Sequence, residues 1–271
     1  MLKQLKRGGK NKMSLEKIKK LRELTGAGMV DCQQALAEAD NDLDKAEKIL
    51  RKKGQKMAIK KQDREVKEGV IAVASTEKKV AVVILLCETD FVAKNESFQA
   101  VAQELADKLL EVGESDFNTW AKEKIQNELI VKIGENLQLG EAKIIEGEIL
   151  GGYLHFNKKF AGVVVLKNGT AELAKELAMQ VVALNPEYLS PEDVPTAVTD
   201  KEKEIYREQL ASENKPPEII EKILVGKLEK FYSEVCLLKQ SYIKDEDKTI
   251  EQLIKEAGED IKIERFSRFS L

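Results

Sequence analysis

The apolar run VAVVILL at residues 80–86 leads directly into the stretch CETDFVAKN at residues 87–95. A short continuous apolar run bounded by polar residues is typical of a buried strand. In the second stretch, Thr89 or Asp90 can cap a helix by accepting a hydrogen bond from a backbone N–H group. Together they predict a strand followed at once by a helix, with Phe91 at the corner between the two elements.

Two interpretations of Phe91 are open from the residues alone. Aromatic side chains are mostly buried, so packing of the ring beneath the strand is the simpler interpretation. The alternative is an exposed anchor for a partner, since a phenylalanine buried in a partner's pocket contributes roughly 1.5–3 kcal/mol.

The same arrangement of strands and helix occurs twice along the chain. The first copy runs from EGVIAVA at 68–74 through the strand at 80–86 to an amphipathic helix. The second copy runs from EGEILGGYLH at 146–155 through AGVVVL at 161–166 to another amphipathic helix. Each copy is a hairpin followed by a helix, which predicts antiparallel strands with helices packed on one face, the α+β class.

Helical patterns flank this repeat on both sides. Residues 14–54 predict three short helices, with Leu15, Leu21 and Leu24 on the apolar stripe of the first and Gly54 ending the third. The stretch NKPP separates two polar helical segments that predict an antiparallel hairpin. The predicted organisation is a flexible basic tail (1–13), a three-helix N-terminal domain (14–56), a linker (57–67), a first core half-domain (68–140), a second core half-domain (141–195 and 236–271) and the inserted hairpin (196–235).

The composition indicates a globular protein with an uneven charge distribution. Of the 271 residues, 42% are hydrophobic and 34% are charged. Residues 1–64 hold 18 Lys and Arg against 9 Asp and Glu, a formal charge of +9 in a chain whose net charge is −3. A basic head suggests contact with nucleic acid or the ribosome, or with an acidic partner protein, or only a solvated lysine-rich surface.

Three widely spaced cysteines argue against a disulfide framework and for a reducing compartment. The basic start of the sequence lacks the apolar region of a secretory signal. No apolar run approaches the length of a membrane span, so we expect no membrane association.

The sequence offers no recognisable catalytic or metal-binding constellation. His155 is the single histidine, and no cluster of residues has the spacing of metal ligands. Phosphate-binding loops and the nucleophile elbow are also absent. These absences favour a binding or regulatory protein, although an enzyme with an unrecognised site in a groove between the half-domains stays open as an alternative.

Four stretches stand in one order: LRELTGAGMVDCQQAL (21–36), CETDFVAKNESFQ (87–99), VKIGEN (131–136) and GGYLH (151–155). From residue 14 onward the chain resembles the elongation factor Ts family, the nucleotide exchange factors of elongation factor Tu. The resemblance implies a ubiquitin-associated-like three-helix domain, two related half-domains and a helical hairpin inserted in the second.

The resemblance also implies an exchange factor that acts by binding, performs no bond chemistry and has no cofactor or metal of its own. Its implied partner is elongation factor Tu, with no direct binding of nucleic acid. Asp90 and Phe91 are implied to reach into the guanine-nucleotide domain of the partner, near its magnesium site. The implied partner-binding residues are Thr89, Asp90, Phe91, Val92, Ala93, Arg22, Met29, Val30, Ile133, Gly134, His155, Tyr242 and Ile243.

Some features lie outside what the resemblance implies. Ser241 and Tyr242 replace the usual proline and phenylalanine of the late segment. The sequence leaves open whether the protein forms a homodimer or a heterotetramer with its partner. It also leaves open whether the compartment is the bacterial cytoplasm or an organelle.

Overall fold

The computed structural model describes residues 7–211 and 216–271, and the chain divides into two compact units. Unit 1 takes in the chain up to Ala74, residues 81–144 and Leu271, whereas unit 2 takes in residues 75–80 and 145–270. Across the described ranges, no helix is long and apolar enough to cross a membrane.

The chain up to residue 146 folds in the order α1 (Arg7–Thr25), α2 (Met29–Glu38), α3 (Leu43–Lys61), β1 (Glu68–Ser75), β2 (Lys79–Cys87), α4 (Asp90–Ala93), α5 (Glu96–Lys124), α6 (Ile130–Ile133) and β3 (Leu137–Glu146). The strands form one sheet in the order β1-β2-β3. The central strand β2 is buried along almost its whole length. Its residues Ala81, Val83 and Leu85 share a core with Phe98 and Leu105 of α5.

Three local features set the path of the chain through α5 and α6 to β3. Gly113 interrupts α5 with a φ of 78° and a ψ of 168°, a conformation essentially restricted to glycine. A π-helical turn over Ile125–Leu129 joins α5 to α6. Gly134 then ends α6 in the left-handed conformation, with a φ of 84°. The loop at residues 135–136 therefore leaves α6 in a defined direction.

The first three helices enclose a small core that includes Leu21, Cys32, Leu36 and Leu50, all buried. This confirms the three predicted helices, but two details differ from the prediction. Leu15 and Leu24 are exposed although they continue the apolar stripe. The first helix begins at Arg7, so residues 7–13 of the predicted flexible tail are helical, and residues 1–6 lie outside the described part.

The prediction that Gly54 ends the third helix is wrong, because α3 continues to Lys61. A Cβ atom at position 54 would lie 2.6 Å from the carbonyl oxygen of Gln126 in the π-helical turn. Glycine is therefore needed for close approach of two backbones and not for a helix cap. Beyond it, Met57 and Ala58 pack against the core of the first sheet.

The rest of the chain contains β4 (Ile149–Leu154), β5 (Phe160–Lys167), α7 (Ala171–Leu184), α8 (Thr196–Ala211), α9 (Pro217–Val235), β6 (Ser241–Tyr242), β7 (Asp245–Thr249), α10 (Ile250–Ala257) and β8 (Lys262–Ser270). The strands β4, β5 and β8 form an antiparallel sheet with β5 in the centre. Helix α7 packs closely on this sheet, since a Cβ atom at Gly162 would lie 2.6 Å from the carbonyl oxygen of Ala178.

Helices α8 and α9 form the predicted hairpin, and its two ends meet at a short neck. The N–H groups of Glu187 and Tyr188 donate to the carbonyl oxygen of Val235 at 2.9 and 3.0 Å. The N–H of Leu237 donates in turn to the carbonyl oxygen of Tyr188 at 2.9 Å. The hairpin is thus an insertion whose entry and exit lie side by side.

The mixture of helices and antiparallel sheet confirms the predicted α+β class. In each half of the core a pair of strands precedes a helix: β1 and β2 precede α5, and β4 and β5 precede α7. The chain divides into only two compact units, and the first of them contains both the first three helices and the first sheet. This division does not test the bounds of the six predicted segments, which stay predictions.

Candidate functional site

The four-residue helix α4 follows the end of β2 and carries the Asp-Phe pair. Thr89 caps this helix: its backbone is extended, and its Oγ1 accepts a hydrogen bond from the N–H of Val92 at 3.4 Å. Val92 packs against the core of unit 1, and Ala93 is buried within it. Because a single helical turn has little stability of its own, the cap and these two contacts hold α4 in place.

Phe91 lies on the outer face of this corner with 82% of its surface exposed. The interpretation that the ring packs beneath the strand is therefore wrong. Leaving such a ring in water forgoes roughly 1.5–3 kcal/mol of burial. An exposed aromatic side chain on a fixed backbone has the geometry of an interface anchor.

Asp90 forms an ion pair on the same surface. The Nζ atom of Lys94 lies 2.7 Å from Oδ2 of Asp90, one helical turn away. The hydrogen bond from Lys94 lowers the pKa of Asp90 below its ordinary value of 3.8, so this carboxylate is charged at neutral pH. Because both groups are in solvent, this pair contributes little to stability, so Asp90 can exchange Lys94 for a group on a partner.

Two carboxylates, those of Glu88 and Glu135, join the corner to the loop after α6, and we call this pair the carboxylate brace. Glu135 accepts hydrogen bonds from the N–H groups of Glu88 and Thr89 at 3.0 and 3.1 Å and from the Thr89 hydroxyl at 2.6 Å. Glu88 accepts in return from the N–H of Asn136 at 2.6 Å and faces Arg64 at 3.3 Å. The brace thereby joins the motifs CETDFVAKN and VKIGEN.

Ile133 and Gly134 belong to the same corner, because they directly precede Glu135. The Ile133 side chain is partly buried against the core of unit 1, whereas Gly134 is exposed. The carbonyl oxygen of Gly134 accepts a hydrogen bond from Nζ of Lys61. The structure thus brings these two residues and Thr89–Ala93 to neighbouring positions through the brace.

Arg22, Met29 and Val30 are exposed around the turn between α1 and α2. Met29 and Val30 are 56% and 65% exposed, although both are apolar. The turn is held next to α6, since Gly26 lies against the side chain of Lys132. Leu24, which lies on the apolar stripe predicted for the first helix, adds a third exposed apolar side chain to this surface.

In unit 2, His155 and Ile243 line one cavity of about 440 Å³. The Tyr153 hydroxyl lies 3.0 Å from Nδ1 of His155 and orients the ring. The Arg268 guanidinium lies 4.9 Å from the centre of the Phe160 ring in the same wall. The cavity is open, and its wall combines apolar side chains with the guanidinium of Arg268.

The exposure of two side chains near this cavity was not predicted from the sequence. Tyr242 is buried, and its hydroxyl donates to Glu176 at 2.9 Å, so its ring belongs to the core of unit 2. Burial and the Glu176 carboxylate raise the pKa of Tyr242. Phe156 is 86% exposed beside His155, with 4.5 Å between ring centres. Sequence reasoning missed Phe156, although it directly follows the GGYLH motif.

Comparisons with known proteins give one consistent result. A family model described as "Elongation factor TS" matches residues 88–271. The chain is 44% identical over 272 residues to "Elongation factor Ts" of Hydrogenobaculum sp. (strain Y04AAS1), with 96% of this chain and 98% of the relative covered. It is 42% identical over 284 residues to the protein of that name from Aquifex aeolicus, with 96% and 98% covered. It is 41% identical over 278 residues to the one from Halothermothrix orenii, with 96% and 92% covered.

Proposed function

The chain belongs to the elongation factor Ts family, and from this premise we propose that it is the nucleotide exchange factor of an elongation factor Tu. It binds the GDP-bound GTPase, promotes release of GDP and lets GTP bind during translation elongation. It acts by binding alone, without bond chemistry or a cofactor of its own. The observation that carries the proposal is the 82% exposed ring of Phe91 on a corner fixed at Thr89.

In the proposed mechanism, Phe91 enters between elements of the GTPase that hold the nucleotide. Asp90 competes for the groups that order the partner's magnesium site, after giving up its weak ion pair with Lys94. Burial of the ring supplies roughly 1.5–3 kcal/mol for the distortion of the partner, which is of the size of a typical coupling free energy between two sites, about 1–3 kcal/mol.

Thermodynamic linkage makes the coupling reciprocal. If this protein weakens the binding of GDP or GTP by a given factor, the nucleotide weakens the binding of this protein by the same factor. Incoming GTP therefore releases the exchange factor from the complex. No hydrolysis by this protein is needed for the cycle.

Further contacts with the partner are proposed on three exposed surfaces. The helices α1–α3, proposed to be the ubiquitin-associated-like domain of the family, present Arg22, Met29 and Val30. Ile133 and Gly134 extend the corner around Phe91. In unit 2 the cavity of His155 and Ile243 receives a side chain of the partner, with the exposed Phe156 beside it. Tyr242 and Ala93 are buried, so they support these contacts from beneath the surface.

Replacement of Phe91 by alanine tests the proposal. We expect Phe91→Ala to slow the stimulated release of fluorescent GDP from elongation factor Tu by about tenfold or more, because burial of the ring is worth more than 1.4 kcal/mol. The thermal unfolding midpoint should stay within measurement error of the unchanged protein, since the ring makes few contacts in its own chain.

Val225→Ala is the matched control, because Val225 is an exposed apolar residue, 60% accessible, on the hairpin helix α9. It should leave the release rate unchanged. A correctly folded Phe91→Ala variant with the full release rate would contradict the role of the ring. A wild-type protein that does not accelerate GDP release would contradict the proposed function itself.

A further inference from the structure

The loop after α6 holds the corner that carries Phe91 through one side chain, Glu135. This carboxylate accepts three hydrogen bonds, from two consecutive backbone N–H groups and from the Thr89 hydroxyl, at 3.0, 3.1 and 2.6 Å. Hydrogen bonds to an ionised carboxylate are about twice as strong as those between neutral groups. The chain segment between β2 and α4 is therefore clamped at Glu88 and Thr89.

The hydrogen bonds of Glu135 continue into the first turn of α4 through the Thr89 hydroxyl. This hydroxyl donates to Glu135 and at the same time accepts from the N–H of Val92 at 3.4 Å. One continuous path of hydrogen bonds therefore runs from the loop after α6 into the helix that carries Phe91. Removing Glu135 leaves the Thr89 hydroxyl without its acceptor and the cap free to rotate.

The loop after α6 also donates a hydrogen bond to the corner, so the two segments are joined in both directions. Glu88 accepts from the N–H of Asn136, the residue after Glu135, at 2.6 Å. The side-chain amide of Asn136 donates to the carbonyl oxygen of Arg64 at 2.8 Å, and Arg64 itself faces Glu88. The loop that carries Glu135 is thus fixed on the corner and on the segment before β1, which keeps the Glu135 carboxylate in place.

The rest of α4 cannot replace this attachment. The helix has four residues, and Val92 and Ala93 anchor only its inner side. A helix this short does not hold its direction by its own hydrogen bonds. Val92 and Ala93 hold the inner side of α4, so the direction of its outer side, and with it the Phe91 ring, depends on the cap that Glu135 fixes.

We infer that Glu135 is a positioning residue for nucleotide exchange, which holds the Thr89 cap so that Phe91 points at the partner. This inference rests on the proposed function and names how the corner is prepared for it. Glu135 acts through Thr89 and α4, and it lowers the free energy needed to order the ring when the complex forms.

A double-mutant cycle tests the inference, with Glu135→Ala, Phe91→Ala and the two changes combined. We expect Glu135→Ala to lower the maximal rate of GDP release from elongation factor Tu by about tenfold, because the ring is no longer held in its productive direction. In the Phe91→Ala background the second change should have no further effect, since there is no ring left to position. A purely structural role would instead make the two effects multiply.

Glu135→Gln keeps the result interpretable if the alanine variant folds poorly. The glutamine oxygen can still accept from the two backbone N–H groups, and its amide can donate to the Thr89 hydroxyl. This variant should recover most of the release rate. Glu141→Ala, at an exposed glutamate on β3, is the matched control and should behave as the unchanged protein.

Two outcomes overturn the inference alone. One is a folded Glu135→Ala variant with the full release rate while Phe91→Ala is slow, and the other is a combined variant slower than Phe91→Ala by the full Glu135→Ala factor. If Phe91→Ala releases GDP as fast as the unchanged protein, the proposed role of the ring fails, and the inference fails with it.

Discussion

At the corner after β2, three consecutive side chains have three different surroundings. Asp90 is paired with Lys94 in solvent, Phe91 is largely exposed, and Val92 packs on the core. A one-turn helix produces this separation, since neighbouring residues point about 100° apart around its axis. The corner can therefore be anchored by one residue while its neighbour remains free for a partner.

Part of this corner could be predicted from the residues and part could not. The residues predict that Thr89 or Asp90 caps a helix here, and the hydrogen bond from the N–H of Val92 shows that the cap is Thr89. The exposure of Phe91 could not be predicted locally, because aromatic side chains are mostly buried and the residues around Phe91 favour packing beneath the strand. The carboxylate brace could not be found at all, since Glu88 and Glu135 are two among 48 acidic residues and meet only in the folded chain.

The brace makes acid stability depend on Glu88. The N–H of Asn136, assisted by Arg64, lowers the pKa of Glu88 below its ordinary value of 4.5. The unfolded chain therefore takes up this proton at a higher pH than the folded chain. The stabilisation is fully present above pH 4.5 and is lost as the pH falls through the lower folded pKa.

We predict that the free energy of unfolding falls more steeply below pH 4.5 in the unchanged protein than in Glu88→Gln. Urea unfolding at a series of pH values measures this free energy, with the fluorescence of Trp120 as the signal from unit 1. Glu141→Gln should follow the unchanged protein. Equal slopes for the unchanged protein and Glu88→Gln would show that Glu88 does not supply this dependence.

At the scale of elements, glycines decide where helices end and how closely they pack. Gly134 ends α6 with a positive φ, as glycine often does at a helix terminus. Gly54 lies inside α3 and lets it approach the π-helical turn over Ile125–Leu129. The sequence places Gly54 at the end of a helix, which is the role that Gly134 has, because close packing of distant segments leaves no local signal.

Gly54→Ala should lower stability although alanine is the better helix former. The added Cβ atom would meet the carbonyl oxygens of Gln126 and Asn127 at 2.6 and 2.9 Å. We expect a loss of about 1–3 kcal/mol in the free energy of unfolding, typical of an overpacked contact.

Gly226→Ala in α9 is the matched control, because a Cβ atom there meets nothing within 4 Å. It should raise helix stability by up to about 1 kcal/mol. Thermal unfolding followed by circular dichroism compares the two variants. An equal or higher midpoint for Gly54→Ala would show that α3 and the π-helical turn can separate without loss.

At the scale of the whole molecule, the hairpin is separable from the core that carries it. The core of unit 2 is built from the second sheet, α7, α10 and the segment around Leu237, and none of the described residues of α8 or α9 belongs to it. The hairpin was predictable because NKPP marks the turn between its two helical segments. The closing of its neck was not, since backbone hydrogen bonds carry no sequence signature.

Replacement of residues 199–230 by a short Gly-Ser linker should therefore leave unit 2 folded. The neck bonds between Tyr188 and Leu237 and between Glu187 and Val235 lie outside the deleted segment. Hydrogen exchange measured by mass spectrometry should show unchanged protection in β4, β5 and β8. Loss of protection in β5 and β8 would mean that the hairpin contributes to the core.

The neck also bears on the order in which this unit assembles. Strands β5 and β8 pair across residues 168–261, and the entropy lost on closing such a loop grows with its length. Once the hairpin has formed, hydrogen bonds join its two ends. The loop that must close when β8 pairs with β5 is then effectively shorter. We therefore expect early formation of the hairpin to speed the later docking of β8, and pulsed hydrogen exchange during refolding should show α8 and α9 protected before β8.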